Sequence, residues 1–237
     1  MTFGKGSTLV ALVLGVVAQP ALAQRTAEEP ADAPDPSKQV RITVGLKVWP
    51  NRWETWGFPS DTAKKIALIP SVAASRGNFF ASLGYFTTTL YNFPIYGDVP
   101  RTEYDLNVGY WVLQSDSGRL GLTLGYKQVN EDFGAFKEQI TAPTIGFTAS
   151  AHIAGPWSLY SNAAFGPATE TGPSFKARGY YASGEAGVAY AFDRGTAVTI
   201  GFKGQVIDVG LGDCAAFGNT RCRDTTDGFI FGVSHTF

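Results

Sequence analysis

The chain has 237 residues, with 19 basic against 20 acidic side chains, so it carries no basic footprint for nucleic acid. Charged residues make up 16%, well below the roughly 25% of ordinary soluble domains, while aromatics reach 14%. Two cysteines and two histidines leave little from which to build a metal centre, and the length suits one domain.

In chain order, the first segment is MTFGKGSTLVALVLGVVAQPALAQ. One cation, Lys5, precedes an apolar run from Leu9 to Val17, and Ala21-Leu22-Ala23 precedes Gln24. This is the layout of a secretory signal peptide, residues 1–23, cleaved after Ala23; the run is shorter than the roughly 20 residues of a spanning helix. Residues 24–39 are Pro, Ala and acid without apolar periodicity, which predicts a flexible periplasmic tail. No later segment is apolar enough for a transmembrane helix.

From Val40 to the end, residues 40–237, the hydrophobic period is two, the signature of half-buried strands. Val40, Ile42, Val44, Leu46 and Val48 alternate with Arg41, Thr43, Gly45 and Lys47. A segment from Lys65 to Ala73 follows, interrupted by Pro70, which cannot donate to a neighbouring strand. Further alternating stretches begin near Phe79, Tyr104, Arg119, Thr144, Trp157, Tyr180 and Val198, and a last one ends the chain. That makes ten strands, or eight if the Pro70 segment and one neighbour belong to loops. Gly- or Asp-bearing turns at 75–78, 115–118, 154–156 and 193–195 alternate with longer segments at about 49–64, 91–102, 129–139, 168–178 and 208–226. Short and long connections in strict alternation predict a transmembrane antiparallel up-and-down β-barrel, with periplasmic turns, extracellular loops and both termini in the periplasm.

The non-apolar face decides between a membrane barrel and a soluble one. It consists mostly of Gly, Ser, Thr and Asn rather than Lys and Glu, with glycines at 45, 84, 109, 121, 125, 146, 187, 201 and 232. A water-facing wall would be charged, whereas a narrow lumen needs small residues and sharp coiling. The apolar face therefore points to lipid.

The final stretch, TDGFIFGVSHTF, sets Phe229, Phe231, Val233, His235 and Phe237 on one face. Gly232 followed by alternating apolar residues and a terminal Phe237 resembles the C-terminal assembly signal of bacterial outer-membrane β-barrel proteins. His235 stands where a larger apolar residue is usual and Ile230 where a polar one is usual. The resemblance implies an outer-membrane location, insertion by the barrel assembly machinery, and lipid as the surrounding partner. It names no narrower family.

Candidate functional residues fall in three groups. Arg41, Lys47, Asp105, Lys127, Glu185 and Lys203 lie on the lumen face, where buried charges must pair or be hydrated. They form either a network that fills the barrel or the lining of a small-solute channel, weakly anion-favouring because four cations face two acids. Trp49, Trp53 and Trp56 recur at helical spacing in the first long segment, which also holds Pro50 and Pro59. A short helical turn there would lay them on the outer interface or offer them, with Arg52 and Glu54, as an extracellular aromatic platform for a flat ligand. Cys214 and Cys222 bracket seven residues in the last long segment, and in an oxidising periplasm they are expected to form a disulfide. No GxSxG, HExxH or P-loop occurs, His152 and His235 fall toward the opposite end, and the remaining acids for a rim hydrolase are Asp98, Glu131 and Asp132. The expectation is a monomer without cofactor or metal, not an enzyme, with a structural or surface-interaction role met by an extracellular ligand. Conduction of a small solute is the alternative and rim catalysis the remoter one.

Overall fold

The computed structural model describes residues 39–56, 63–93, 97–174, 176–193, 195–209 and 222–237. The segment expected as a signal peptide, nearly all of the expected tail, and Cys214 lie outside them. Ten strands follow one another: β1 (Arg41–Trp56), β2 (Ala63–Arg76), β3 (Phe79–Phe93), β4 (Gly97–Ser115), β5 (Gly118–Asp132), β6 (Lys137–Ala154), β7 (Trp157–Thr171), β8 (Lys176–Ala191), β9 (Thr196–Val209) and β10 (Cys222–Thr236). Each pairs antiparallel with its chain neighbours, and β1 pairs with β10 to close the barrel. Closure satisfies every strand edge, which is what lets a sheet sit in lipid.

Where they are described, the segments expected as long loops are largely strand. β1 continues through Trp49 to Trp56, β5 and β6 leave only 133–136 between them, and β7 and β8 leave only 172–175. Among the described connections the asymmetry therefore lies in strand overhang rather than in loop length. β4 has 19 residues, against the roughly 9–11 that a tilted strand needs to cross a bilayer. The strands project beyond the membrane at the end opposite the short turns, forming a collar.

Pro70 does lie within a strand. Toward β1 the register is continuous through the Leu46 and Pro70 pair, whereas toward β3 it is interrupted between Leu68 and Ser71. The missing proline N–H is thus accommodated by a gap in one seam.

The two faces of the wall have opposite chemistry. Leu106, Leu122, Leu124, Ile145 and Phe229 are 50–65% exposed on the outside, an area that only lipid can cover. Rings gather at two heights on that face. Phe79 with Tyr110 and Trp157 with Tyr190 lie toward the short turns, and Tyr85 with Tyr104 and Phe165 with Tyr180 lie toward the collar. These are the two interfacial girdles of a membrane barrel.

Candidate functional site

The lumen is organised in levels, which β4 displays in order because every second residue points inward. Nearest the short turns, the Trp111 ring packs on Phe80 at 4.5 Å, and the Arg119 guanidinium lies 4.7 Å from the Trp111 ring centre. Glycine makes this floor: a Cβ on Gly109 would fall 2.2 Å from Phe80 Cζ, and one on Gly121 2.9 Å from Trp111 Cε3. Above the floor come small polar groups, including Ser82, Asn107 and Thr123, all buried.

Charge occupies the middle. Lys127 Nζ sits 2.7 Å from both Glu103 and Asp105, between the Phe86 and Tyr181 rings. Arg101 donates from Nε to Glu103 at 2.8 Å and from Nη1 to Glu131 and Asp224 at 3.0 and 3.1 Å. Gln205 Nε2 donates to both oxygens of Glu103 at 3.2 and 3.1 Å. Glu103 is on β4 and Gln205 on β9, five strands apart in either direction around the ring, so this bond spans the diameter. A second group pairs Lys47 with Glu185 across β1 and β8, with Lys203 opposite Glu185 in register and 5.5 Å from the Trp49 ring centre. The guanidinium fork and the carboxylates supply the several hydrogen bonds that a buried charge needs.

Apolar groups surround and cap this level. Trp53, Val99 and Phe133 cluster with Phe136 in the collar, while Trp49, Ala67, Phe86 and Ile230 and Val129, Ile140, Tyr181, Ile207 and Val209 belong to two further clusters, whose Phe86, Tyr181 and Trp49 rings flank the lysines. The β5–β6 tip is held by the Lys137 and Asp132 ion pair at 2.9 Å and by the Gly134 N–H donating to Asp132 at 2.9 Å. Those two contacts hold the Asp132 carboxyl below the usual range.

All six charges singled out from sequence lie on the lumen face, and five join these groups. Arg41 stands apart, near Arg119 at the short-turn end. Sequence reasoning missed Arg101, Glu103 and Asp224 and treated Glu131 as a loop acid, although counting back by twos from Asp105 and forward by twos from Lys127 reaches three of them. Among the described residues the inward charges also include Lys65, Arg119, Glu138 and Glu170. With these, acids balance cations, and the predicted cation excess disappears.

The tryptophans are likewise corrected. Trp49 and Trp53 are strand residues rather than a helical turn, and their rings are 0% and 7% exposed inside the barrel. They continue the inward face of Arg41 and Lys47, and so are not an exposed platform. Trp56 ends β1, and its side chain and that of Glu54 lie outside the described residues, as do Cys214 and the Cys222 side chain. Of the rim acids, Glu131 is bound to Arg101, Asp132 to Lys137, and Asp98 is exposed. His152 and His235 lie at the short-turn end, His235 Nδ1 being 2.9 Å from Thr196 Oγ1. Gly232 faces the lumen, where a Cβ would meet Thr199 Oγ1 at 2.6 Å. Phe237 donates its backbone N–H to Ile42, and its ring lies 4.5 Å from that of His235.

No sequence-family profile and no curated protein matches the chain. Its fold is similar to that of the outer membrane protease OmpT of Escherichia coli, with a TM-score of 0.53 and 12% identity over 84% of this chain and 96% of that one. Neisserial surface protein A aligns over 84% and 97% with a TM-score of 0.43 and 13% identity. The attachment invasion locus protein Ail of Yersinia pestis aligns over 84% and 99% with a TM-score of 0.34 and 10% identity. At such identities the likeness is one of fold, that of small bacterial outer-membrane barrels.

Proposed function

We propose that this outer-membrane β-barrel is a closed one that acts through the outward face of its collar, as a surface-interaction protein rather than a channel. The observation that carries this reading is the Gln205 and Glu103 bond across the full diameter, held from the sides by Lys127 and Arg101. A conducting path would need a continuous hydrated bore. Here the charges are consumed by one another, with apolar clusters around and above them and a Phe80 and Trp111 floor below. In this reading the lumen network is scaffolding. It fixes the spacing of opposite walls so that the collar presents a rigid outer surface to an extracellular ligand.

Planar-bilayer recording of the purified full chain tests this directly. No stepwise current is expected from the wild type, whereas Glu103→Ala, which removes the central acceptor, should give intermittent openings. Steady single-channel steps from the wild type would establish conduction and overturn the proposal. The orientation is tested on intact cells. Reagents should reach cysteines placed at 134 or 173 in the collar tips, while positions 77 and 116 stay protected.

A further inference from the structure

One lumen cation stands outside the ion pairs. Lys203 projects inward from β9, is 9% exposed, and among the described residues has neither a hydrogen bond nor an ion pair. The Trp49 ring centre lies 5.5 Å from its Nζ, and a ring face offsets only part of the cost of burying an ammonium. The charges that act on Lys203 are Glu185, Asp105, Lys127 and Lys47. Each acid of this set is already held by a lysine, Glu185 by Lys47 and Asp105 by Lys127. Glu103, the other acceptor of Lys127, is matched by Arg101. The pairs are neutral, so Lys203 leaves this part of the belt with one positive charge in excess. The inward acids Glu138 and Glu170 lie near the β5–β6 and β7–β8 tips of the collar and do not reach it.

There is room beside this ammonium. Asp105 points inward from β4 yet keeps 37% of its side-chain surface accessible, and Ser71, Thr199 and Gly201 on the same inner face are only half-buried. Inside a closed wall such surface borders open space. The indole Nε1 of Trp49 is sealed away from that space, whereas Lys203 Nζ is not. The ammonium therefore faces a chamber that lies below the belt and above the Phe80 and Trp111 floor, lined by small and hydroxyl-bearing residues.

We infer that this chamber holds one small monovalent anion, of the halide class, on Lys203. The charge of the occupant follows from the count, since one ammonium is left over and a divalent anion would place surplus negative charge against Asp105 and Glu185. Water can accept a hydrogen bond from the ammonium but leaves its charge uncompensated in a low-dielectric interior. With the belt above and the aromatic floor below, the ion is enclosed when the barrel closes, so it is a resident part of the fold and not a conducted solute. This goes beyond the closed-barrel reading and needs only the chamber and the unpaired lysine.

Bromide tests the assignment, because it substitutes for chloride and scatters anomalously. The full chain is refolded from urea into detergent with sodium bromide as the sole halide, so that the ion is present as the barrel closes, and is then crystallised. One bromide against Lys203 Nζ is expected in the anomalous map of the wild type. Lys203→Met, which keeps a long side chain without its charge, should lose that peak, and Lys203→Arg should keep it. In solution the wild type should need more urea to unfold in sodium chloride than in sodium gluconate at the same concentration, because a ligand held only by the folded form stabilises it. That difference should disappear in Lys203→Met. The wild-type map decides alone where a variant does not fold. Water in place of bromide at Lys203, bromide as an adventitious ion only on the outer surface, or the same chloride-dependent gain in Lys203→Met would overturn the assignment. Stepwise current from the wild type would refute the closed-barrel reading and leave the bromide result to be judged by itself.

Discussion

The membrane zone and the collar are made of the same ten strands, yet their apolar residues face opposite ways. In the membrane zone of β5, Leu122 and Leu124 are 56% and 63% exposed outside while Gly121 and Thr123 face in. A few residues further along, Val129 is fully buried inside while Gln128, Asn130 and Asp132 face out. β6 does the same, from Ile145 outside to Ile140 inside, and β9 from Ile200 outside to Ile207 inside. The exterior solvent changes from hydrocarbon to water at that height, and the apolar face moves to wherever water is absent. The difference teaches that the barrel is two structures end to end. One is solvated by lipid around a small polar lumen, and the other is a water-solvated barrel with an ordinary core, joined by a belt of charge.

The belt should be the most sensitive point. Arg101 holds Glu103, Glu131 and Asp224 together, so Arg101→Ala leaves carboxylates buried without their cation and should cost about 3–5 kcal/mol. Urea unfolding in lipid vesicles reads this. A loss of less than about 1 kcal/mol, the range of exposed ion pairs, would mean that the belt is hydrated and that the two zones are not coupled through it.

Matched substitutions then separate the zones. Ile207→Ala, at a position 1% exposed in the collar core, removes methylenes and leaves a cavity, for about 2–5 kcal/mol. Ile145→Ala, at a position 65% exposed to lipid, forfeits only the transfer of the same groups, about 2 kcal/mol at roughly 0.8 per methylene, because hydrocarbon flows into the gap. Collar cores and lipid faces would be energetically alike if both variants fell by the same amount.

The inversion also explains what the sequence disclosed and what it hid. Alternation identified all ten strands, including the one containing Pro70, and put Lys47, Asp105, Lys127, Glu185 and Lys203 on the inner face, because lipid outside and polar groups inside give a clean period of two. At the collar the outer face becomes polar while the inner face takes Val99, Arg101 and Glu103, then Val129 and Glu131. Apolar and charged residues now share one face, so the periodic signal fades and strand ends read as loops. Trp49 and Trp53 were misplaced for this reason, since their spacing of four suits a helix turn and also one face of a strand. The belt was therefore legible only where it lies within the membrane zone. Its partners Arg101, Glu131 and Asp224 sit just past the point where the pattern inverts.

A disulfide between Cys214 and Cys222 would act on the collar alone. Closing a loop of this length removes less chain entropy than a 15-residue loop, so at most about 2–3 kcal/mol is expected. The effect should be confined to residues 208–226, since the ladder of β10 continues to Thr236 toward β1 and to His235 toward β9 without it. Peptide mass spectrometry without reductant, and melting with and without it, check the bond and its locality. Free thiols in protein from an oxidising periplasm would remove the first claim, and a reductant-dependent collapse of the membrane zone the second.

The smallest effect belongs to the short-turn end, where the β8–β9 connection has no collar to support it. Asp193 accepts hydrogen bonds from the Gly195 and Thr196 N–H groups at 2.7 and 2.5 Å, and these hold its carboxyl below the usual range. Because the folded form binds its proton less readily than the unfolded chain, the turn gains stability that is fully present above the ordinary carboxylate pKa of about 3.9. That gain is lost as pH falls through the lowered folded value. Asp193→Ala should therefore speed amide exchange at Gly195 and Thr196 near neutral pH, and the difference from wild type should shrink as the solution is acidified. The collar tip offers the internal control, since Asp132 is held low in the same way by Lys137 and the Gly134 N–H. If acidification loosens the Asp132 tip while the Asp193 turn keeps its protection, the turn is held by its strands and not by the carboxylate.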